Sequence, residues 1–269
     1  MTTASRPPEL VEALKVLHLP TMRRCYAAVA DQARQESLSY EHYLVELVHQ
    51  EWYTRREHRI ARFLRESHLP LEKNLATLDR QRLSAKLQAQ LTVLLEGTFL
   101  DQAENVLAFG TPGSGKTHLL CAVGQELIYQ QERPLRFMTG SEMIQQLLLA
   151  KRDLELPRLL KRWDKYQAIV LDDLGYVQHT REEMEVFFTL LAHRYERGSM
   201  MITSNLPFSQ WETLFKDPMT TAAAIDRLIH HCLILEMNLP SYRLEASKKR
   251  AKPAAPSGDP AASTEEAAS

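Results

Sequence analysis

The segment from Gly110 to Thr117 contains the residues with the most specific chemistry in this sequence. It reads GTPGSGKT, which fits the pattern of a phosphate-binding loop: a glycine, four residues, a second glycine, a lysine and a threonine. Glycines let successive backbone N–H groups turn toward a phosphate, and the helix that begins there directs the positive end of its dipole at the same anion. The spacing predicts a nucleoside triphosphate site, and the alternative is a glycine-rich turn that matches by chance.

Each position of this loop has an expected role. The candidate nucleotide-binding residues are Gly110, Thr111, Pro112, Gly113, Ser114, Gly115, Lys116, Thr117 and His118. We expect Lys116 to reach the β- and γ-phosphates and to contribute to catalysis, and we expect the Thr117 hydroxyl to bind Mg²⁺.

Two acidic residues follow an apolar run in the middle of the chain. Residues 168–171 are Ala-Ile-Val-Leu, and Asp172 and Asp173 come directly after them. A phosphate-binding loop needs an acidic partner on a neighbouring strand to hold Mg²⁺ and its water shell. We predict that Asp172 does this and that Asp173 orients and polarises the attacking water. The alternative is a pair of acidic residues that only ends a strand.

Two more polar residues are candidates for the hydrolysis step. Asn205 follows the apolar run at 200–203 and would lie beside the γ-phosphate if that strand lies between the two previous ones. Its amide could hold the attacking water, although alone it would be an ordinary turn residue. Arg227 precedes the last apolar run and is a candidate for neutralising charge that develops on the γ-phosphoryl group. A local ion pair with Asp226 or Glu236 is the alternative for this arginine.

The pattern after residue 104 predicts the elements that must hold these residues. Short β-rich apolar runs alternate with longer helical ones, which is typical of a parallel sheet with helices on both faces. The candidate strands are Val106–Phe109, Leu135–Met138, Ala168–Leu171, Met200–Thr203 and Cys232–Glu236. The main candidate helices are Thr117–Gln130, Ser141–Arg152 and Arg181–Arg197. We therefore predict an α/β fold with a five-stranded parallel sheet.

The chain as a whole divides into parts of different composition. We predict a helical module (residues 1–68), a connecting helix (69–104), the α/β core (105–246) and a disordered tail (247–269). Helical apolar spacing with breaks at Pro20 and around 37–39 favours about three helices in the first part. Leucines at helical spacing from Leu83 to Leu94 indicate the connecting helix. The tail is rich in Ala, Pro, Ser and Glu and has little to bury.

Composition excludes several classes of protein. Of 269 residues, 44% are hydrophobic and 25% are charged, which is ordinary for a globular protein. The 33 basic and 34 acidic residues give a net charge of −1, so any contact with nucleic acid must come from local basic clusters. The three cysteines are too few and too scattered for a disulfide framework or a zinc site, which predicts a cytoplasmic protein with free thiols. No apolar run approaches the roughly 18 residues that cross a bilayer, so no membrane partner is expected.

Further short motifs accompany the phosphate-binding loop. They are Asp-Asp-Leu-Gly at 172–175, Thr-Ser-Asn-Leu-Pro at 203–207 and Asp-Arg-Leu at 226–228. In this order they resemble the IstB/DnaC branch of AAA+ P-loop ATPases. Other motifs look specifically like IstB-like proteins, the helper ATPases of transposable insertion sequences: LPTM at 19–22, SYE at 39–41, RRE at 55–57, GKTHL at 115–119, YERGS at 195–199, SQW at 209–211 and SYRL at 241–244. The resemblance covers about residues 10–246.

The resemblance implies an ATPase that binds target double-stranded DNA cooperatively and forms homo-oligomers with nucleotide between the subunits. It also implies a DDE-type transposase as the partner to which the insertion site is presented, and ATP and Mg²⁺ as ligands. Gly110–Thr117 would be Walker A, Asp172 and Asp173 Walker B, Asn205 sensor I, and Arg227 the arginine finger of the neighbouring subunit. Many AAA+ proteins have glutamate where this chain has Asp173, and the shorter side chain predicts slow hydrolysis without DNA or a partner.

A basic stripe in the helical module is the candidate DNA-binding surface. The candidate residues are Arg55, Arg56, Arg59 and Arg62. At about 100° per residue, most of these arginines share one side of a helix with Arg65, and Tyr53 and Phe63 lie on the opposite, packed side. Such guanidinium groups could follow phosphates with little sequence preference. The alternative is a solvated face with Glu57 and Glu66 as partners.

Other hypotheses stay open at this point. A second basic cluster between residues 151 and 165 could face nucleic acid, unless neighbouring acids cancel its charge. A DnaC-like replicative helicase loader is the alternative function, since it shares the core but uses its N-terminal module to grip a helicase. A nucleotide-gated DNA-binding scaffold, in which ATP occupancy rather than hydrolysis sets the assembled state, is another.

Overall fold

The protein folds as a run of helices followed by an α/β core. The structure is a computed structural model that describes residues 8–174, 180–206 and 228–242. The N-terminal helices are α1 (Pro8–Val16), α2 (Pro20–Gln35) and α3 (Tyr40–Ser67). A 3₁₀ turn at Arg80–Arg82, α4 (Ala85–Glu96) and α5 (Thr98–Asp101) connect them to the core. The core contains β1 (Asn105–Phe109), α6 (Lys116–Gln131), β2 (Leu135–Thr139), α7 (Gly140–Arg152), α8 (Leu156–Trp163), β3 (Ala168–Asp172), α9 (Arg181–Arg194), β4 (Ser199–Ser204) and β5 (Cys232–Glu236).

The five strands form one parallel sheet in the order β2-β3-β4-β1-β5. The predicted five-stranded parallel sheet is therefore confirmed, and every strand lies within one residue of its predicted ends. Because β4 pairs with both β1 and β3, the carboxyl ends of these three strands are neighbours at one edge of the sheet. That edge is where ligands bind in open α/β sheets.

Helices cover both faces of the sheet, as the continuous apolar strands require. In β3, Ile169 and Leu171 face a core formed with α7, α8 and α9, whereas Ala168 and Val170 face a core formed with α4 and α6. All four side chains are buried. The predicted helix Arg181–Arg197 was wrong at its end: the helix stops at Arg194, because Tyr195 is extended and Glu196 adopts a left-handed conformation.

The N-terminal helices form the predicted small bundle, with Tyr26, Val29 and Leu47 at its centre. The second half of α3 leaves this bundle and packs on the α/β core, where Phe63 is one of the contacting side chains. The prediction that Tyr53 is packed was wrong. It lies in α3 before the residues that pack on the core, so it is 55% exposed, and its ring contacts the His49 and Trp52 rings of the same helix.

The cysteines and the helices agree with two further expectations. All three cysteines are free thiols, as predicted, and burial raises the pKa of the Cys121 thiol to about 12. Within the described ranges, no helix combines the length and the apolar composition that a bilayer crossing requires.

A buried guanidinium, that of Arg194 at the end of α9, lies at the sheet edge opposite the phosphate-binding loop. Arg194 donates to the carbonyl oxygens of Tyr166 (2.8 Å), Gln167 (2.9 Å) and Ser199 (3.3 Å), and burial lowers its pKa to about 10. Removing it takes a donor from the buried Tyr166 carbonyl oxygen, whereas the Gln167 carbonyl oxygen keeps the Ser199 N–H, and a buried group that loses its donor is costly.

We expect Arg194→Met to lower the free energy of unfolding by about 3 kcal/mol. Arg197→Met is the matched control, because Arg197 is exposed three residues later and such changes usually stay within about 0.5 kcal/mol. Urea unfolding followed by circular dichroism measures both variants. Equal effects of the two substitutions would show that the buried hydrogen bonds of Arg194 add nothing.

Candidate nucleotide site

The phosphate-binding loop joins β1 to α6 in the conformation that its glycines allow. Gly110, Gly113 and Gly115 have φ values of 151°, 82° and 99°, which side chains rarely adopt. The Lys116 ammonium is buried and donates to the carbonyl oxygens of Gly110 (2.8 Å) and Thr111 (3.0 Å). The loop therefore holds its own lysine where phosphate oxygens could replace two carbonyl acceptors.

A buried hydroxyl inside the loop tests whether a phosphate fits there. The Ser114 Oγ atom is inaccessible to solvent and has no hydrogen-bond partner in the part of the chain that the structure describes. Buried polar atoms almost always have partners, so an orphaned hydroxyl beside a row of glycine N–H groups points to a ligand. The residues present thus fit an anionic group such as a phosphate.

Asp172 ends β3 and lies against the loop. Its Oδ1 atom accepts hydrogen bonds from the Thr117 hydroxyl at 2.7 Å and from the Thr203 hydroxyl at 2.6 Å. The side chain is only 8% exposed. Mg²⁺ prefers oxygen ligands and keeps several waters, and the Thr117 hydroxyl with the Asp172 carboxylate forms such a donor set.

Asp173 has a different position from its neighbour. It adopts a left-handed conformation with φ of 58°, and its backbone N–H donates to the Thr203 hydroxyl at 2.9 Å. This turns the carboxylate away from the strand and into the wall of an open cleft, where it is exposed. One carboxylate is thus buried and the other is exposed, and the two roles predicted for them stay predictions.

Asn205 satisfies the geometric condition on which its role depended. It directly follows β4, which lies between β1 and β3. Its Oδ1 atom is buried and has no hydrogen-bond partner among the described residues, so it can accept a hydrogen bond from a water or ligand. Arg227 lies outside the described residues, so its role stays a prediction.

A cleft of about 340 Å³ opens above the loop and has two further walls. One wall is the segment before α4, which contributes Lys73, Thr77, Leu78, Asp79, Arg82 and Leu83. His118 contacts this wall: its Nε2 atom lies 3.1 Å from both the Thr77 hydroxyl and the Asn74 carbonyl oxygen. His118 therefore joins the first turn of α6 to the wall, and direct contact with a nucleotide stays a prediction.

The other wall is residues 237–242, which we call the strap because they run across the loop after β5. The strap's Met237 N–H donates to the Phe109 carbonyl oxygen at 2.7 Å, and its Tyr242 N–H donates to the Gly113 carbonyl oxygen at 3.0 Å. Arg82 joins the two walls, because it donates to the Pro240 carbonyl oxygen at 2.9 Å and lies over the Tyr242 ring.

Sequence reasoning assigned no role to Thr203 or to the strap. Thr203 holds the Asp172 carboxylate and the Asp173 backbone N–H, and its location at the end of an apolar run near Asn205 was a usable signal once β4 was placed next to β3. The strap lies more than 120 residues from the loop that it covers, and its contacts are mostly through backbone atoms. No residue type or spacing indicates such contacts.

The four candidate DNA-binding arginines do not share one environment. Arg56 and Arg59 both pair with Glu132, the residue that caps the C-terminus of α6, and Arg56 also donates to the Tyr129 carbonyl oxygen at 2.9 Å. These two arginines thus hold α3 against the far end of the helix that begins at the loop. Arg55 pairs with buried Glu51 at 2.7 Å, and Arg62 lies over the Phe63 ring.

The second predicted basic cluster is largely offset by acids. Four of its six cations form ion pairs: Lys151 with Glu185, Arg152 with Asp153, Arg158 with Glu155, and Lys165 with Glu66. Lys161 and Arg162 are exposed on α8. The structure thus favours the alternative that neighbouring acids cancel most of this charge.

The chain is similar to known proteins over most of its length. Residues 12–251 match the family model described as IstB-like ATP binding protein. The chain belongs to this family. A Sinorhizobium fredii protein named as an insertion sequence ATP-binding protein is 39% identical over 247 residues, which are 90% of this chain and 83% of that protein. A Pseudomonas aeruginosa protein named as the ATP-binding protein of insertion sequence IS21 is 34% identical to this chain, and the match covers 89% of each protein.

Solved structures show the fold of this IstB-like protein. The DnaC helicase loader superposes with a TM-score of 0.54 at 19% identity, and it covers 62% of this chain and 97% of that one. DnaI gives a TM-score of 0.53 at 21% identity, and the match covers 64% of this chain and 95% of DnaI. These likenesses establish the AAA+ P-loop fold. Membership of a family described as IstB-like ATP binding protein supports ATP as the ligand and, with the phosphate-binding loop, ATP hydrolysis as the general activity.

Proposed function

We propose that this protein is an ATP-dependent DNA-binding helper ATPase for transposition, which assembles on target duplex DNA and presents it to a DDE-type transposase. The observation that carries the proposal is the hydrogen-bonded set of Thr117, Asp172 and Thr203 beside the loop lysine, in a chain of the IstB-like family. Relatives named for insertion sequences support the transposition context.

ATP and Mg²⁺ fit the described residues. We propose that the triphosphate lies in the loop. There its oxygens would replace the Gly110 carbonyl as acceptors of the Lys116 ammonium and would accept a hydrogen bond from the buried Ser114 hydroxyl. Thr117 and Asp172 would hold Mg²⁺, which offsets phosphate charge when bound. The base fits between Leu78 and Leu83 on one wall and Leu239 on the strap, since these apolar side chains line the same cleft.

Hydrolysis then depends on how water is held at the mouth of the cleft. We propose that Asp173 polarises the attacking water and that the unpartnered Asn205 Oδ1 atom accepts a hydrogen bond from it. The short side chain of Asp173 supports slow turnover until DNA or the transposase is bound. A second copy of the chain would supply Arg227 to the γ-phosphate, which couples hydrolysis to oligomer formation.

Binding to random-sequence duplex DNA tests this function. We expect cooperative assembly with ATP and weaker assembly with ADP or without nucleotide, measured by mobility shift and by particle mass in solution. Lys116→Ala should abolish the ATP-dependent step, because the loop loses the cation that contacts the β- and γ-phosphates. If the wild-type protein binds duplex DNA in no nucleotide state, the transposition-helper function is wrong, and a helicase partner becomes the next candidate.

A further inference from the structure

The two sides of α3 carry basic residues with different partners. On the side that faces the core, Arg56 and Arg59 share Glu132, and Ile60 and Phe63 pack into the apolar core beside them. Their charge is offset within the chain and their positions are needed for docking α3. These arginines therefore contribute little net charge to any external partner.

On the opposite side, a cleft of about 330 Å³ lies between α1, α2 and α3. Its lining includes five basic residues, Lys15, His18, Arg23, Arg55 and His58, and one acid, Glu51. Glu51 is 4% exposed and serves the fold: it accepts from the Thr21 N–H at 2.8 Å and the Met22 N–H at 3.0 Å, and so caps the first turn of α2.

The state of Glu51 leaves the cleft basic. Burial raises the pKa of its carboxyl, but hydrogen bonds from Arg55 and from the two N–H groups outweigh burial and bring the pKa below its ordinary value. The carboxylate is thus ionised at neutral pH, and its acceptor capacity is used by Arg55 and the helix end. Within the described ranges, no other basic side chain of the cleft hydrogen-bonds to the Glu51 carboxylate.

The basic character continues from the cleft along α3. At 100° and 1.5 Å per residue, Arg55, His58, Arg62 and Arg65 lie within an arc of about 80° and span about 15 Å. All four are exposed. Among residues 8–174, 180–206 and 228–242, no acid lies within ion-pair distance of His58, Arg62 or Arg65, nor of Arg23 at the cleft. The outer basic face consists of Arg23, Arg55, His58, Arg62 and Arg65.

We propose that the outer basic face binds the sugar–phosphate backbone of duplex DNA. This rests on the proposed function, which requires a DNA-binding surface but does not locate it. Phosphates of one DNA strand recur every 3.4 Å along the helix axis, so a row of basic side chains about 15 Å long is as long as about four phosphate spacings. Contacts from long basic side chains to phosphates give an affinity that is independent of sequence and sensitive to salt.

The test compares full-length variants that lose pairs of basic residues from different surfaces. Arg62→Ala/Arg65→Ala and, separately, Arg23→Ala/His58→Ala remove parts of the outer basic face. Lys161→Ala/Arg162→Ala removes two exposed cations from α8 and is the matched control. Affinity for a random-sequence duplex is measured with ATP from 50 to 300 mM salt, together with the thermal midpoint and the binding of a fluorescent ATP analogue.

We expect Arg62→Ala/Arg65→Ala to weaken DNA binding about tenfold or more and to reduce the slope of log affinity against log salt by about 2, since each phosphate contact contributes about 0.9. ATP binding and the thermal midpoint should match the wild type, and the control should bind DNA normally. If the wild type binds duplex DNA and neither outer pair differs from the control, the outer basic face is the wrong surface while the proposed function stands. If the wild type does not bind duplex DNA, the proposed function itself fails.

Discussion

Changing Asp172 to asparagine is expected to slow ATP hydrolysis roughly 100-fold or more and to remove the increase in ATP affinity that Mg²⁺ provides. The substitution keeps the size of the side chain and an oxygen that can accept from Thr117 and Thr203. It removes the negative charge that would hold the cation's water shell. The measurements are phosphate release and titration of a fluorescent ATP analogue, each with Mg²⁺ and with chelator.

Asp173→Asn is the matched comparison at the adjacent carboxylate. Because Asp173 is exposed at the cleft and Asp172 is buried against Thr117, we expect this variant to stop turnover but to keep Mg²⁺-dependent ATP binding. Unchanged thermal midpoints would show that neither substitution acts through unfolding. Wild-type turnover by Asp172→Asn at saturating Mg²⁺ would contradict the role assigned to it. Assembly on DNA by Asp173→Asn without turnover would favour a scaffold gated by ATP occupancy.

Changing Gly110 to alanine is expected to cost about 3 kcal/mol or more of folding free energy and to abolish ATP binding. A β-carbon at Gly110 would lie 2.2 Å from the Met237 carbonyl oxygen, and the residue's φ of 151° is itself strained for alanine. The clash is with backbone, so no rotation of a side chain relieves it. Thermal unfolding and titration of the ATP analogue measure the two effects.

Gly113→Ala separates side-chain clash from backbone clash at the strap. Its β-carbon would lie 2.2 Å from the Ser241 hydroxyl oxygen, so adding Ser241→Gly should restore part of the lost stability. The strain of a φ of 82° would remain. Gly124→Ala within α6 is the control, since its tightest contact is with the end of the flexible Leu69 side chain at 3.3 Å. If Gly110→Ala is no worse than Gly124→Ala, the strap does not press on the loop.

The two walls of the cleft connect nucleotide binding to the rest of the molecule. His118 and Arg82 join the loop and the strap to the segment that follows α3. At its far end, α6 meets Arg56 and Arg59 through Glu132. Thus α6 begins at the phosphate-binding loop and ends at the contact that orients the N-terminal module.

The sequence by itself predicted the sheet and the loop, because both depend on local information. Strands such as Ala168–Asp172 are apolar runs of the right length, and the phosphate-binding loop needs glycine at positions where the backbone turns to the left. The placement of Asp172 followed from the same logic, since the carboxyl ends of parallel strands lie at one edge of the sheet and β3 is separated from β1 by β4 alone.

Only the tertiary structure decided which side chains meet across long distances in the chain. Thr203 holds the Asp172 carboxylate and the Asp173 backbone, and the strap covers the loop, because parallel strands bring together chain ends that local patterns do not relate. The helical period placed Arg59 with Arg62, but the α6 cap at Glu132 draws Arg59 toward the core and leaves His58 in the outward row. Periodicity assigns a residue to a side of a helix, and the partner packed against that side determines whether its charge is free.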